Sequence, residues 1–404
     1  MRGQWQIGSF LGIPFYLDSS WFVIAALITL ANAQEINQTI LFHQQAWVGW
    51  LLGFWMAILL FASVLLHELG HSVVAQAQGI KVNSITLFLF GGVASIERES
   101  KTPLGAFLVA IAGPLVSFGL FGGFEIVRFF TIDAPAWNYL ARNLSDLNLF
   151  LGLFNLIPGL PLDGGQVLKA LLWKVSGDRL VGIQWAARSG LLLGLIGISL
   201  GLTLWLALNN WGGLWLSLIG WFVWRNASAY GRIARLQSGL KRLQAQDVMT
   251  RDFRVVKGDL TLRNFTEQYL TQSDNFNIPY YVASDGRYRG LLRINLLQKI
   301  ERSEWEWLTL QDIALPLSES PHIQETTLLP QVIHQLEISG DHFITVLSPA
   351  GAVAGVIDRG DIVQAIINQQ RLNISDTEIK RIKNEGIYPN YLPLAALAKS
   401  LAEE

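Results

Sequence analysis

Cysteine is absent from the 404 residues, which removes disulfides, thiolate metal sites and cysteine nucleophiles at once. Charge is scarce too. Lys, Arg, Asp and Glu make up 15% of the chain, the net charge is −1, and no basic stripe interleaved with aromatics is present, so no nucleic-acid partner is expected. The first residues hold a single arginine, Arg2, with no short apolar core or small-residue cleavage site behind it. No removable signal peptide is therefore expected. Apolar residues fill the space that charge leaves: 51% of the chain is hydrophobic and the mean hydropathy is +0.34, outside the range of soluble globular proteins.

Most of that excess lies before residue 230. Apolar stretches approaching a bilayer's thickness cover residues 19–33, 46–66, 104–124, 143–157, 189–208 and 211–224. About six transmembrane helices are expected. Arg2; Lys81, Arg98 and Lys101; Lys169, Lys174 and Arg179; and Arg225, Arg232 and Arg235 fall on alternate loops, which the positive-inside rule assigns to the cytoplasm. The expectation is a multi-pass integral protein of the cell inner membrane, surrounded by lipid, with both termini cytoplasmic.

Directly after the uncharged run 46–66 stands His67-Glu68-Leu69-Gly70-His71. Residues four apart share one helix face, so both imidazoles can reach one tetrahedral Zn²⁺ while Glu68 projects beside them, where a Glu can take the proton of an activated water. An ionisable side chain at membrane depth costs at least about 2.5–3.5 kcal/mol and is usually there for function. A metal explains all three better than a buried polar network joining helices.

Two histidines leave Zn²⁺ in need of a third protein ligand if one position is to stay open. Asp163 is the candidate. It lies in Asn155-Leu-Ile-Pro-Gly-Leu-Pro-Leu-Asp163-Gly-Gly165, where prolines and glycines must interrupt a helix, and unpaired backbone survives at membrane depth only when buried in protein or lining a cavity. The competing reading makes Asp163 the N-cap of a helix beginning near Gln166. Asn155 has two readings as well: an amide that holds an oxyanion or orients a ligand, or one that satisfies the broken backbone.

Residues 83–96 are rich in β-formers and split by Gly91-Gly92, which predicts a re-entrant hairpin beside the site. Its edge could pair with an unwound substrate strand, or the hairpin could simply close the cavity. Gly113-Pro114 predicts a kink, and Gly119, Gly122 and Gly123 a small-residue surface for another helix.

Taken together, a span ending in His-Glu-x-x-His, Ala112-Gly113-Pro114 in the next span, and Leu162-Asp163-Gly164 in a broken helix resemble the site-2 protease family of intramembrane zinc metalloproteases, over roughly residues 10–230. The resemblance implies one Zn²⁺ per chain on His67, His71 and Asp163, Glu68 as catalytic acid/base, and a transmembrane protein as substrate.

After Arg235 the composition becomes that of a soluble α/β domain. Two units can be aligned, 247–297 and about 322–367, each reading helix, strand, Gly turn, strand, helix. They are similar to a tandem pair of CBS domains, which implies adenine-nucleotide binding, with Asp361 at the ribose-holding place, or a dimerising module that makes the chain a homodimer. Leu296 or Leu297 stands at the corresponding place in the first unit. The expected organisation is a polytopic membrane metalloprotease domain (1–238), a cytoplasmic CBS pair (239–371) and a tail (372–404). Two other classes stay open at this point: a CBS-regulated ion channel or transporter, and a non-catalytic membrane scaffold.

Overall fold

The computed structural model describes residues 4–38, 46–88, 91–271, 278–370, 374–389 and 391–402, and the chain divides into two compact units, Met1–Ala234 and Arg235–Glu404.

The first unit opens with a hairpin of β1 (Gln4–Phe10) and β2 (Ile13–Asp18). Leu11 and Gly12 both take positive φ, 51° and 77°, the pair of left-handed residues that a two-residue primed turn requires. Five long helices carry most of the apolar sequence: α1 (Ser20–Gln38), α2 (Ala46–Ala77), α3 (Pro103–Phe130), α4 (Pro135–Asn155) and, after α5 (Asp163–Ser176), α6 (Arg179–Leu208); α7 (Trp211–Arg242) continues past the unit's end. By length and composition three of these are long and apolar enough to cross a membrane, 47–77, 103–130 and 179–208, with 20–36 a shorter apolar helix. On α6, Leu192, Leu195, Ile196, Leu200, Leu206 and Leu208 are all at least half exposed. Apolar faces of that extent mark contact with lipid or with another protein.

Between α2 and α3 lie β3 (Val82–Phe88) and β4 (Gly91–Ile96). The sheet runs β1-β2-β3-β4, with β2 and β3 parallel and the outer pairs antiparallel. Phe88 pairs with Gly91, and Leu89 and Phe90 between them lie outside the described residues. Gly91 and Gly92, expected at the turn, belong instead to β4.

The α4–α5 break predicted from the prolines is present. α4 stops at Asn155, residues 156–162 are irregular, Leu160-Pro161 is cis, and α5 starts at Asp163. Glycines make room for this segment: a Cβ on Gly164, Gly165 or Gly190 would overlap its backbone. The Leu160 amide donates to the Ala186 carbonyl at 3.2 Å, and the Ser189 hydroxyl donates to that of Pro158. Neighbouring helix groups thus satisfy polar backbone that lipid could not.

The second unit repeats one pattern. Its first half follows α8 (Ala245–Val248) with β5 (Arg254–Lys257), α9 (Leu262–Phe265), β6 (Tyr280–Ser284), β7 (Arg287–Leu292) and α10 (Ile294–Leu297). The second half follows α11 (Leu310–Ile313) with β8 (His322–Gln324), α12 (Leu329–Ser339), β9 (Phe343–Leu347), β10 (Val353–Asp358) and α13 (Arg359–Gln370). In each, the first strand is parallel to the second and the second antiparallel to the third. The halves exchange bridges. Thr250, which leads into the first half, pairs with Val356 of β10; Leu315, which leads into the second, pairs with Leu291 of β7. Beyond α13, α14 (Asp376–Glu385) and α15 (Leu394–Ala402) bury Ile379, Ile382, Leu394 and Ala398 in the same core as Leu329, Val332 and Ile366.

Candidate metal centre

His67 and His71 stand one turn apart on α2, 3% and 7% exposed. Their Nε2 atoms are 3.3 Å apart, and Oδ2 of Asp163, the first residue of α5, lies 3.0 Å from the one and 3.3 Å from the other. Four ligands placed tetrahedrally about 2.05 Å from Zn²⁺ stand about 3.3 Å from one another. The three donors therefore have the separations of one face of such a tetrahedron, and among the described residues no other group of three His, Asp or Glu converges in this way. The fit extends to the outer ring nitrogens. His71 Nδ1 donates to the Val109 carbonyl at 2.6 Å, which leaves its Nε2 lone pair for a metal, and His67 Nδ1 is 2.9 Å from the Ser117 hydroxyl, an oxygen able to accept its proton so that Nε2 can ligate as well.

α3 reaches this close because its facing residue has no side chain. A Cβ on Gly113 would fall 2.6 Å from His71 Cε1 and 2.7 Å from His67 Nε2. Gly70 on α2 serves the same approach one turn away, where a Cβ would meet Val116 and the Ala112 carbonyl. The expected helix-seating surface at Gly119, Gly122 and Gly123 is not used: a Cβ at any of the three meets nothing within 4 Å. Three bare positions along one helix do not reveal which of them a neighbour fills. Near the C-terminal end of that helix, Glu125 and Arg128 pair at 3.2 Å, with the Ser145 hydroxyl donating to Glu125 at 2.7 Å.

Glu68 projects from α2 onto the other side of the donors. Its Cγ lies where a Cβ of Gly92 would be, and its carboxylate accepts a hydrogen bond from the Ala94 amide of β4. Gly92 thus gives the carboxylate its room. Asn155, the last residue of α4, brings its amide nitrogen 3.4 Å from His67 Nε2. The N-cap of α5 is Leu162, not Asp163, whose carboxylate turns to the histidines. Asp361 lies in the other unit and takes no part here.

A cavity of about 650 Å³ opens over the donors. Glu68, Asn155 and Asp163 line it together with Gly92, Val93, Ala94 and Ile96 of β4, and it extends to Glu99, Lys169 and Tyr230. The Glu99 carboxylate bridges Lys169 and Arg179 at 3.0 and 3.1 Å, tying the segment after β4 to α5 and α6. Sequence reasoning missed Ser117, Val109 and this bridge. Ser117 carried a usable signal, since it follows Gly113 by four residues and so shares its face.

Residues 55–132 and 126–197 match Peptidase family M50. Protein sll0528 of Synechocystis sp. is 37% identical over 368 residues, 91% of this chain and 96% of its own length. Zinc metalloprotease MJ0392 of Methanocaldococcus jannaschii is 32% identical over 360 residues, 88% of this chain and 94% of its own. Among solved structures, the site-2 protease from M. jannaschii shares 33% identity with a TM-score of 0.39, covering 57% of this chain and 95% of that one.

Proposed function

Because the chain belongs to peptidase family M50, we propose that it is a membrane-embedded zinc endopeptidase that cuts transmembrane protein substrates. The observation carrying this reading is the triangle of His67, His71 and Asp163 donors 3.0–3.3 Å apart with a carboxylate, Glu68, beside it in one cavity. These three residues hold the metal. When bound, Zn²⁺ supplies Lewis acidity that polarises the scissile carbonyl and acidifies the attacking water. Glu68 takes the proton of that water and returns it to the leaving amine. The Asn155 amide, 3.4 Å from His67 Nε2, donates to the carbonyl oxygen as charge develops on it.

A helical substrate shields its own carbonyls, so it must be extended before it is cut. β4 is the strand suited to hold it. Both edges of β3 are already paired, to β2 and to β4, whereas β4 ends the sheet and lines the cavity beside Glu68. Backbone pairing to a free edge accepts many sequences. The six-span topology with both termini cytoplasmic belongs to the same reading, with β3–β4 entering the membrane from the cytoplasmic side. In the second unit, read as a CBS pair, Asp361 holds the ribose of an adenine nucleotide that alters the cleavage rate.

Zinc analysis of purified variants, paired with cleavage of a transmembrane substrate, is the test. Glu68→Gln should keep one zinc per chain and lose cleavage, while His67→Ala, His71→Ala and Asp163→Ala each lose the zinc, since no ligand is spare. Near-stoichiometric zinc in Asp163→Ala would remove that residue from the ligand set, and cleavage by Glu68→Gln would remove the acid/base role.

A further inference from the structure

The Asp361 carboxylate is already fully engaged. Its Oδ2 accepts from the Asp358 amide at 3.1 Å and from the Thr250 hydroxyl at 3.3 Å, its Oδ1 accepts from the Lys383 ammonium at 2.6 Å, and the side chain is 4% exposed. Thr250 pairs with Val356 and Asp358 ends the same strand, so both stand where the two halves exchange a bridge. Lys383 comes from elsewhere, from α14 beyond both halves.

The lysine is held firmly. Its ammonium stands among three carboxylates, 2.6 Å from Asp361, 3.5 Å from Asp358 and 3.7 Å from Asp252. Its stem lies over Gly360, where any Cβ would overlap Lys383 Cγ. α14 is seated by Ile379 and Ile382 in the core, capped by Ser375 at one end and by Gly386 at φ 64° at the other. The segment after it is fixed as well, with the Arg359 guanidinium 5.8 Å from the Tyr388 ring centre. Burial alone would lower the Lys383 pKa, yet the bond to Asp361 and the carboxylates around it raise it, so the ammonium stays charged. Without it three carboxylates would stand together with no cation among the residues named.

We propose that α14 is an internal occupant of the Asp361 site: Lys383 holds the Asp361 carboxylate when no ligand is present, and a ligand bearing a ribose diol binds by displacing that ammonium and loosening α14. This rests on the nucleotide reading of Asp361. The competition is chemical, because the diol hydroxyls would donate to the oxygen that Lys383 now occupies. A charge-assisted hydrogen bond of this kind corresponds to roughly a 10- to 100-fold change in an equilibrium constant, and a closed site weakens apparent affinity by the fraction of time it is open. Removing the ammonium should strengthen binding by about that factor.

The experiment uses the full chain in detergent, with wild type, Lys383→Met, Lys383→Arg and Asp361→Asn. Calorimetry with AMP and with uncharged adenosine measures binding, and hydrogen exchange follows residues 376–385. Lys383→Met should bind adenosine about 10- to 100-fold more tightly than wild type, Lys383→Arg should stay near wild type, and Asp361→Asn should not bind. Exchange at 376–385 should quicken in Lys383→Met and Asp361→Asn without ligand, and in wild type on adding AMP. Unchanged exchange across all variants would overturn the internal contact. Weaker adenosine binding by Lys383→Met would overturn it too, by making the lysine part of the ligand's own site. Quicker exchange in both variants with no binding by any chain would uphold the Lys383 contact while removing the nucleotide reading and, with it, the displacement.

Discussion

Gly113→Ala adds one methyl group in the tightest place of the first unit. Propensity alone favours the change, since alanine is about 1 kcal/mol better than glycine inside a helix, so any loss reports the site and not the helix. The new Cβ would stand 2.6 Å from His71 Cε1 and 2.7 Å from His67 Nε2, against carbon contacts that are comfortable at about 3.5 Å. The His67 ring must retreat by roughly 0.8 Å and the His71 ring, whose Nε2 is the nearest atom, by more, whereas metal–ligand distances tolerate about 0.2 Å. Disturbing the groups that orient a ligand already costs 10- to 100-fold in metal affinity, and here two ligands move together. We expect zinc to bind at least about 100-fold more weakly, about 2.7 kcal/mol, and cleavage to fall with it. Chelator competition on purified protein gives the affinity, with Gly119→Ala and Gly123→Ala, whose new methyl groups meet nothing within 4 Å, as controls on the same helix. Gly113→Ala that gives up zinc no faster than these controls would refute the geometry.

Proline at Val93, Ala94 or Ser95 should cut cleavage with zinc retained, most at Ala94, where it also removes the amide bonded to Glu68; unchanged turnover for all three would deny β4 a substrate role. In Glu99→Gln the buried Lys169 keeps a weaker partner, and because Glu99 is itself half exposed the expected loss of stability is about 1 kcal/mol. Burial raises the Glu99 pKa, but Lys169 and Arg179 outweigh it and hold the carboxyl below its usual range. Its contribution is therefore complete above the unfolded value of about 4.3 and is lost as pH falls through the lower folded value. Melting curves of wild type and Glu99→Gln should converge in acid, and curves that stay parallel would contradict this. A cysteine at Asp133 should react with an impermeant reagent in intact cells and one at Ser318 only after permeabilisation; the reverse result would overturn the topology.

The candidate metal centre was legible because its signals are local. His67, Glu68 and His71 lie within five residues, and the prolines and glycines around Asp163 break a helix in any context. What distance in sequence hides was not legible. Residues 4–18 alternate apolar and polar side chains around a Leu-Gly turn, which hints at a hairpin, but nothing in them says that β2 will lie parallel to β3, some seventy residues on. That pairing decides which edge of the sheet stays open, and so makes β4 the candidate substrate strand. Gly113 was visible as a glycine beside a proline, yet its purpose depends on histidines from another helix. In the second unit the repeat showed in the Gly turns and apolar runs, while the Lys383–Asp361 contact joins residues 22 apart whose pairing no periodicity announces.

The exchanged bridges of the second unit bear on its ancestry. Each half closes its last strand with a residue that leads into the other half, Thr250 on Val356 and Leu315 on Leu291. A chain holding a single half would leave both partners of that bridge wanting. It could complete the ladder only with a second identical chain, so a one-unit precursor is self-consistent as a pair of copies, and joining the two copies end to end would change no contact. The same geometry makes the present chain divisible: a nick in the exposed stretch near Arg302 severs no bridge, and the two pieces would be expected to find each other again in solution.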